Sequence, residues 1–210
     1  MRGALAILLL ATSPAALAAD PLGLMDYRAL FDSLPQHVET DAQGNAVLVH
    51  PDGPRITRFD GPDGPEHTGV DMNPGGAIGC VTQIVLDTLS FDAICPAFLD
   101  EPRRAALQAR AGQLAAAYGA SLVPERPGAE VLERLHDRAR AQAEAWQAAA
   151  GDGAGDSAGT GAGDSAPGDS LCQTDPQGAN ILRMLTDPAM AATMDAILQP
   201  SRPPVAAPCL

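Results

Sequence analysis

The 210-residue chain contains no lysine, and all 13 of its basic residues are arginines. Without a lysine ammonium the chain can build neither a Gly-Lys-Ser/Thr phosphate-binding loop nor a Schiff-base or pyridoxal phosphate enzyme. The 26 acidic residues give a net charge of −13. This charge disfavours nucleic acids and anionic membrane surfaces, because both recruit proteins through cations.

Aromatic residues and catalytic motifs are scarce as well. Only seven residues are aromatic, whereas 40 are alanine, so we do not expect the aromatic cleft that is typical of glycosidases. The sequence contains no His-Glu-x-x-His metalloprotease motif and no Cys-x-x-Cys pair. No residue is therefore predicted to be catalytic, and no cofactor is predicted.

Residues 1–18 have the layout of a secretory signal peptide. Arg2 precedes the apolar run 3–11, and the small-residue triplet that ends at Ala18 marks the predicted cleavage site. No cysteine follows the apolar run, so there is no thiol to carry a lipoprotein anchor. We expect a periplasmic or secreted protein that has no stable membrane anchor after cleavage.

A low-complexity segment divides the mature sequence. Residues 151–170 read GDGAGDSAGTGAGDSAPGDS, a composition with too little apolar surface to offset the entropy of ordering. We expect a flexible linker between an N-terminal domain, 19–150, and a small C-terminal tail, 171–210. A 40-residue unit usually needs a crosslink to fold.

Four cysteines remain in the mature chain, an even number in a compartment that is expected to be oxidising. Because the linker separates them into two pairs, we predict the disulfides Cys80–Cys95 and Cys172–Cys209. The second bond would close the tail on itself. The alternative is that Cys80 and Cys95 are buried free thiols.

Periodicity predicts a mostly helical α+β fold with three to four helices and a small antiparallel meander in the N-terminal domain. Apolar spacing predicts helices over 22–34 and 129–149, and a third helix runs between the cap Asp100 and Gly119. Residues 77–89 fit a helix or a strand almost equally, and their length favours a helix. Short runs separated by turn formers predict strands over 38–40, 46–50 and 55–59.

The tail is predicted to be a helical hairpin. Asp175-Pro176 and Asp187-Pro188 each have the form of a helix start. The stretch 181–198 resembles the Asp-Pro helical repeats of the STI1 type in co-chaperones, and this resemblance implies a Met-rich groove for apolar client segments. A disulfide-closed hairpin is the alternative, and the one we adopt. The residues predicted to contact a partner are Met184, Met190, Met194 and Ile197.

One loop could hold a metal ion. The segment 60–76 is rich in turn formers and carries several oxygen and nitrogen donors, which are Asp60, Asp63, Glu66, His67 and Asp71. Carboxylates and an imidazole on a glycine-rich loop can converge on a divalent cation. The alternative is ordinary turn chemistry, because Asp beside Gly and Pro is also what turns require.

Two functions follow from the sequence. The first is a non-enzymatic binding or accessory protein of the exported compartment, with a protein partner held by the tethered tail. The second is a divalent-metal-binding protein or a metal-dependent hydrolase that uses the loop from Asp60 to Asp71. No nucleic-acid partner is expected.

Overall fold

The described part of the chain contains helices and one antiparallel sheet. The structure is a computed structural model that describes residues 20–62, 64–73, 76–152, 172, 187, 190–199 and 202–205. The predicted signal peptide, most of the predicted linker and the helix predicted after Asp175 lie outside these residues. None of the described helices is long and apolar enough to cross a membrane. The α+β prediction is confirmed.

The first turn of the described chain is stabilised by the carboxylate of Asp20. The Asp20 side chain is buried and accepts hydrogen bonds from the backbone N–H of Leu22 (2.9 Å), Leu24 and Met25 (2.5 Å). This turn uses the residues that periodicity assigned to the start of a helix. Helix α1 (Tyr27–Ser33) therefore begins later than predicted, after the N-cap Asp26.

A four-stranded meander follows, in the order β1 (Val38–Thr40), β2 (Ala46–Val49), β3 (Pro54–Gly61) and β4 (Gly64–Asp71). The three predicted strands are confirmed, but residues 64–71 were wrongly assigned to a loop. Their Gly, Pro and Asp content indicates turns, yet β4 is paired with β3 along its whole length. Pro65 is tolerated because it lies near the start of a strand at the end of the sheet order.

Three long helices form a second layer. They are α2 (Ile78–Ile94), α3 (Glu101–Ala120) and α4 (Gly128–Asp152), so residues 77–89 are helical, as their length favoured. The Asp100 carboxylate caps α3 by accepting from the Arg103 N–H at 3.0 Å, as the sequence predicted. Helix α4 packs against both α2 and α3.

The described part of the tail packs on the N-terminal domain. Helix α5 (Met190–Ile197) contributes Met194, which is buried in the same core as α2, α3 and α4. Residues 202–205 have no regular secondary structure, and all four are buried. One of them, Val205, packs with α1 and the sheet in a second core cluster. The domain boundaries at 150 and 171 themselves stay a prediction.

The predicted disulfide pairing is wrong. Cys95 bonds Cys172, with 5.6 Å between the Cα atoms, so the tail is joined to the end of α2 and is not a hairpin closed on itself. Cys80, in the first turn of α2, is disulfide-bonded as well. Sequence separation favoured short loops, but packing brings the tail onto α2. The free-thiol alternative for Cys80 and Cys95 is also wrong.

Candidate functional site

The predicted metal-binding loop is a β-hairpin. Asp60 lies opposite Pro65 in the β3–β4 register, and Glu66 lies opposite Phe59. Both acidic side chains belong to exposed residues, and Asp63 lies outside the described residues. Adjacent positions of a strand point to opposite faces of the sheet, so Glu66 and His67 diverge. Among the described residues no group of three or more His, Cys, Asp or Glu side chains could hold a metal ion.

The imidazole of His67 serves a different purpose. Its ring stacks on Tyr27 with 4.3 Å between centroids and an interplanar angle of 11°, and it lies 6.0 Å from the Phe31 ring. Burial lowers the pKa of His67, and the nearby Arg58 guanidinium lowers this pKa further. A neutral imidazole therefore helps to attach α1 to the sheet.

The last of the metal candidates, Asp71, belongs to a buried ion pair. Its carboxylate accepts from the Arg202 Nε at 2.5 Å, and the side chains of both residues are fully buried. A second oxygen of Asp71 accepts from the backbone N–H of Asn73 at 2.9 Å. The Arg202 guanidinium also donates to the Gly76 carbonyl at 2.5 Å. The Asp71 carboxylate, which the sequence predicted as a metal ligand, thus binds the Arg202 guanidinium of the tail.

Residues 202–205, which we call the docked segment, lie in a groove between the sheet and α2. One end is fixed by the ion pair between Arg202 and Asp71. At the other end the backbone N–H of Gly79 donates to the Val205 carbonyl at 3.0 Å. The Val205 side chain joins four buried apolar residues of the sheet layer, which are Leu30, Phe31, Leu48 and Ile56.

A cleft of about 340 Å³ lies beside the docked segment. It is built from four separate parts of the chain, which are α1, the end of β2, the loop after α3, and the docked segment. Apolar side chains line much of it, among them Leu30, Leu122 and Val123, and Glu125 supplies a carboxylate. Clefts with an apolar lining and a few polar groups are the usual form of a binding site.

His50 contributes the imidazole of this cleft. Its Nδ1 accepts from the Asp52 backbone N–H at 3.2 Å, which leaves Nε2 as the hydrogen-bond donor of the neutral ring. Burial lowers the pKa of His50, and His37 acts in the same direction, whereas Asp52 and Asp71 raise this pKa. His50 is therefore suited to donating a hydrogen bond to a carbonyl or carboxylate oxygen at neutral pH.

The serine that lines the cleft is already engaged. The Ser121 hydroxyl donates to the Ala117 carbonyl of α3 at 2.7 Å. Its oxygen therefore supports the end of the helix. The cleft lining offers hydrogen bonding and apolar contact to an occupant.

Two of the four residues predicted to contact a partner, Met194 and Ile197, pack within the molecule. Met194 is buried in the helical core with 1% of its surface exposed, and Ile197 packs against that core. Met184 and the side chain of Met190 lie outside the described residues. Periodicity detected an apolar face correctly, but this face is used within the molecule.

Sequence analysis did not predict this cleft. Arg202, His50 and Ser121 carry no motif, and 131 residues separate Arg202 from Asp71. One signal was present, because Arg202 is the only charged residue in the last 15 positions of the sequence. Comparisons with protein-family models, curated proteins and solved structures find no match for this chain.

Proposed function

We propose that the protein is an exported, non-enzymatic binding or accessory protein whose binding site is the cleft beside the docked segment. The observation that carries this proposal is the construction of the cleft from four distant parts of the chain. Such a site exists only in the complete fold, as expected for a surface that recognises a partner.

The chemistry of the cleft lining supports an extended peptide segment as the occupant. Apolar walls accept side chains, while the His50 Nε2–H offers a hydrogen bond to a backbone carbonyl. The net charge of −13 favours a basic partner by long-range attraction. The Cys95–Cys172 disulfide supports the predicted export, because disulfides persist in oxidising compartments.

A second hollow on the surface is less suitable as a binding site. It lies along one side of α4 between Ala129 and Arg140, and its lining comes from that helix alone. His136 in this hollow contacts Gln108 of α3 at 3.1 Å. A surface formed by one helix does not require the sheet or the tail.

The test is a bulky substitution at the rim of the cleft. Glu125→Trp should fill the cleft and abolish co-purification of the partner, whereas Glu144→Trp is the matched control. Glu144 is an exposed acid on α4 that lines neither hollow, so both variants lose the same charge and gain the same ring.

A photo-crosslinking amino acid at each position gives the second readout. The partner should be crosslinked at position 125 and not at position 144. Retention of the partner by a folded Glu125→Trp variant, or equal crosslinking at both positions, would contradict the proposal.

A further inference from the structure

The docked segment has the features of a ligand seated in a receptor. Its four residues, Arg202 to Val205, are all buried and make their described anchoring contacts mainly with residues more than 100 positions earlier. Between the two parts of the chain lies the low-complexity sequence 151–170. Docking of this segment on the N-terminal domain therefore resembles the binding of a peptide to a protein, except that the two are parts of one chain.

One end of the groove matches a guanidinium. The Asp71 carboxylate and the Gly76 carbonyl are two acceptors placed around one side chain, at 2.5 Å from Nε and from one terminal nitrogen of Arg202 respectively. A planar fork of donors can reach both acceptors at once, whereas a lysine ammonium is a point charge on a flexible stem. This end therefore selects arginine.

The other end matches an apolar side chain three residues further on. Val205 enters the cluster that contains Leu30, Leu48 and Ile56, and the Gly79 N–H binds its carbonyl. The two intervening prolines have fixed φ angles, so such a segment loses little conformational entropy when it docks in an extended form. The groove is thus complementary to an extended segment that has the pattern Arg-x-x-apolar.

We propose that this groove is a receptor for an extended, Arg-Pro-containing segment of a partner protein, and that the C-terminal tail occupies it as a tethered competitor. This inference rests on the proposed binding function and names its partner class. The groove adjoins the cleft, because Arg202 and Pro203 of the docked segment also form one wall of the cleft. A partner segment longer than four residues that displaces them would therefore replace this wall and extend into the cleft.

A covalent attachment explains how the tail is kept in the groove. Cys95–Cys172 attaches the tail to one end of α2. This bond keeps the tail near its groove and raises its effective concentration there. A partner segment must displace the tail, so its apparent affinity for the unmodified protein is reduced.

The first experiment uses the full-length Arg202→Ala variant and the methylguanidinium ion. The ion should restore part of the thermal stability lost in Arg202→Ala by entering the vacated position beside Asp71. Methylammonium is the control cation, and Asp71→Asn combined with Arg202→Ala is the control protein. Neither control should show stabilisation.

If Arg202→Ala does not fold alone, recovery of cooperative unfolding in methylguanidinium, and not in methylammonium, is the same supporting result. The absence of any difference between the two ions, in either the stability or the folding of this variant, would overturn the proposal.

The second experiment measures binding of the peptide acetyl-Arg-Pro-Pro-Val-amide by titration calorimetry. It should bind Arg202→Ala at least about tenfold more tightly than it binds the unmodified protein, in which the tail competes. Replacing its arginine by lysine should abolish this difference. Equal affinity for the arginine and lysine peptides would overturn the proposal.

These outcomes are distinct from those for the proposed function. A folded Arg202→Ala variant that binds neither ion nor peptide, together with loss of the native partner in Glu125→Trp, would remove the arginine receptor and leave the cleft as the binding site. If purified protein instead exchanges tails to give dimers with intermolecular Cys95–Cys172 bonds, the occupant is a second copy, and the separate partner proposed here is wrong.

Discussion

The helical layer and the sheet layer of this protein are stabilised in different ways. Among the described residues, the helical core contains 20 buried residues, of which Met194 and Leu198 come from the tail. In the same part of the chain the sheet cluster contains five buried residues, and Val205 is one of them. A short meander with one covering helix buries little apolar surface, so the sheet layer depends on the docked segment much more than the helices do.

The same contrast holds for charge. In the helical layer the Arg104–Asp92 pair, at 2.7 Å, is partly exposed, and the Asp92 carboxylate raises the pKa of Arg104 by hydrogen bonding and by charge. In the sheet layer the Arg202–Asp71 pair is fully buried. A buried pair stabilises strongly only while both partners are present, because removal of one leaves a desolvated charge.

The largest expected effect comes from breaking that pair. Arg202→Ala should lower the free energy of unfolding by about 3–5 kcal/mol, since it leaves the Asp71 carboxylate buried without its cation. Chemical denaturation measures this loss. The control is Arg55→Ala, which removes an exposed partner of Glu39 at 2.9 Å and should cost less than about 1 kcal/mol. Equal losses in the two variants would contradict the role given to the buried pair.

The next effect concerns the covalent tether. Replacing Cys95 and Cys172 together by serine should reduce stability by about 2–4 kcal/mol, because the bond closes a loop with a sequence separation of 77 residues. Peptide mapping without reductant should recover Cys95 linked to Cys172 in the unmodified protein. Recovery of Cys80 linked to Cys95 would show that the short-range pairing favoured by the sequence is correct after all.

A smaller loss of stability is expected from substitutions at Asp20 and Tyr118, which hydrogen-bond each other in the helical layer. The buried Asp20 carboxylate accepts from three backbone N–H groups and from the Tyr118 hydroxyl. Burial, followed by the Asp20 charge, raises the pKa of Tyr118, so this hydroxyl remains a donor. Asp20→Ala should cost about 2 kcal/mol, and Tyr118→Phe, which removes one donor only, should cost less. A larger loss in Tyr118→Phe than in Asp20→Ala would count against this account.

The smallest predicted effect is a pH dependence in the sheet layer. The pKa of His67 is lowered in the folded state, so below the unfolded value of about 6.5 the unfolded chain binds more protons and stability falls as the pH falls. His67→Phe keeps a ring against Tyr27 and removes this titration. Urea denaturation between pH 7.5 and pH 5.5 should therefore show a shallower decline in the variant, and identical slopes would refute the assignment.

The parts of the fold that the sequence predicted are those set by neighbouring residues. Asp100 and Pro102 define the start of α3 because capping acts within one turn. Strand β4 was missed because its glycines and prolines indicate turns, while pairing with β3 decides its structure.

Contacts between distant residues could not be predicted in the same way. Nothing local distinguishes Arg202 as the partner of Asp71, or Cys172 as the partner of Cys95, since both contacts depend on where the tail packs. The described donors of the predicted metal site do not converge, for the same reason. Its donors Asp60, His67 and Asp71 are close in sequence, but Asp71 binds the tail arginine and His67 stacks on Tyr27.

The dependence of the sheet layer on the docked segment is tested most directly by hydrogen–deuterium exchange of Arg202→Ala under native conditions. Because the docked segment supports the sheet, exchange should increase strongly in peptides covering β3 and β4, residues 54–71, and should change little in α3 and α4. An equal increase in the sheet and the helices, or no increase in the sheet, would contradict this account.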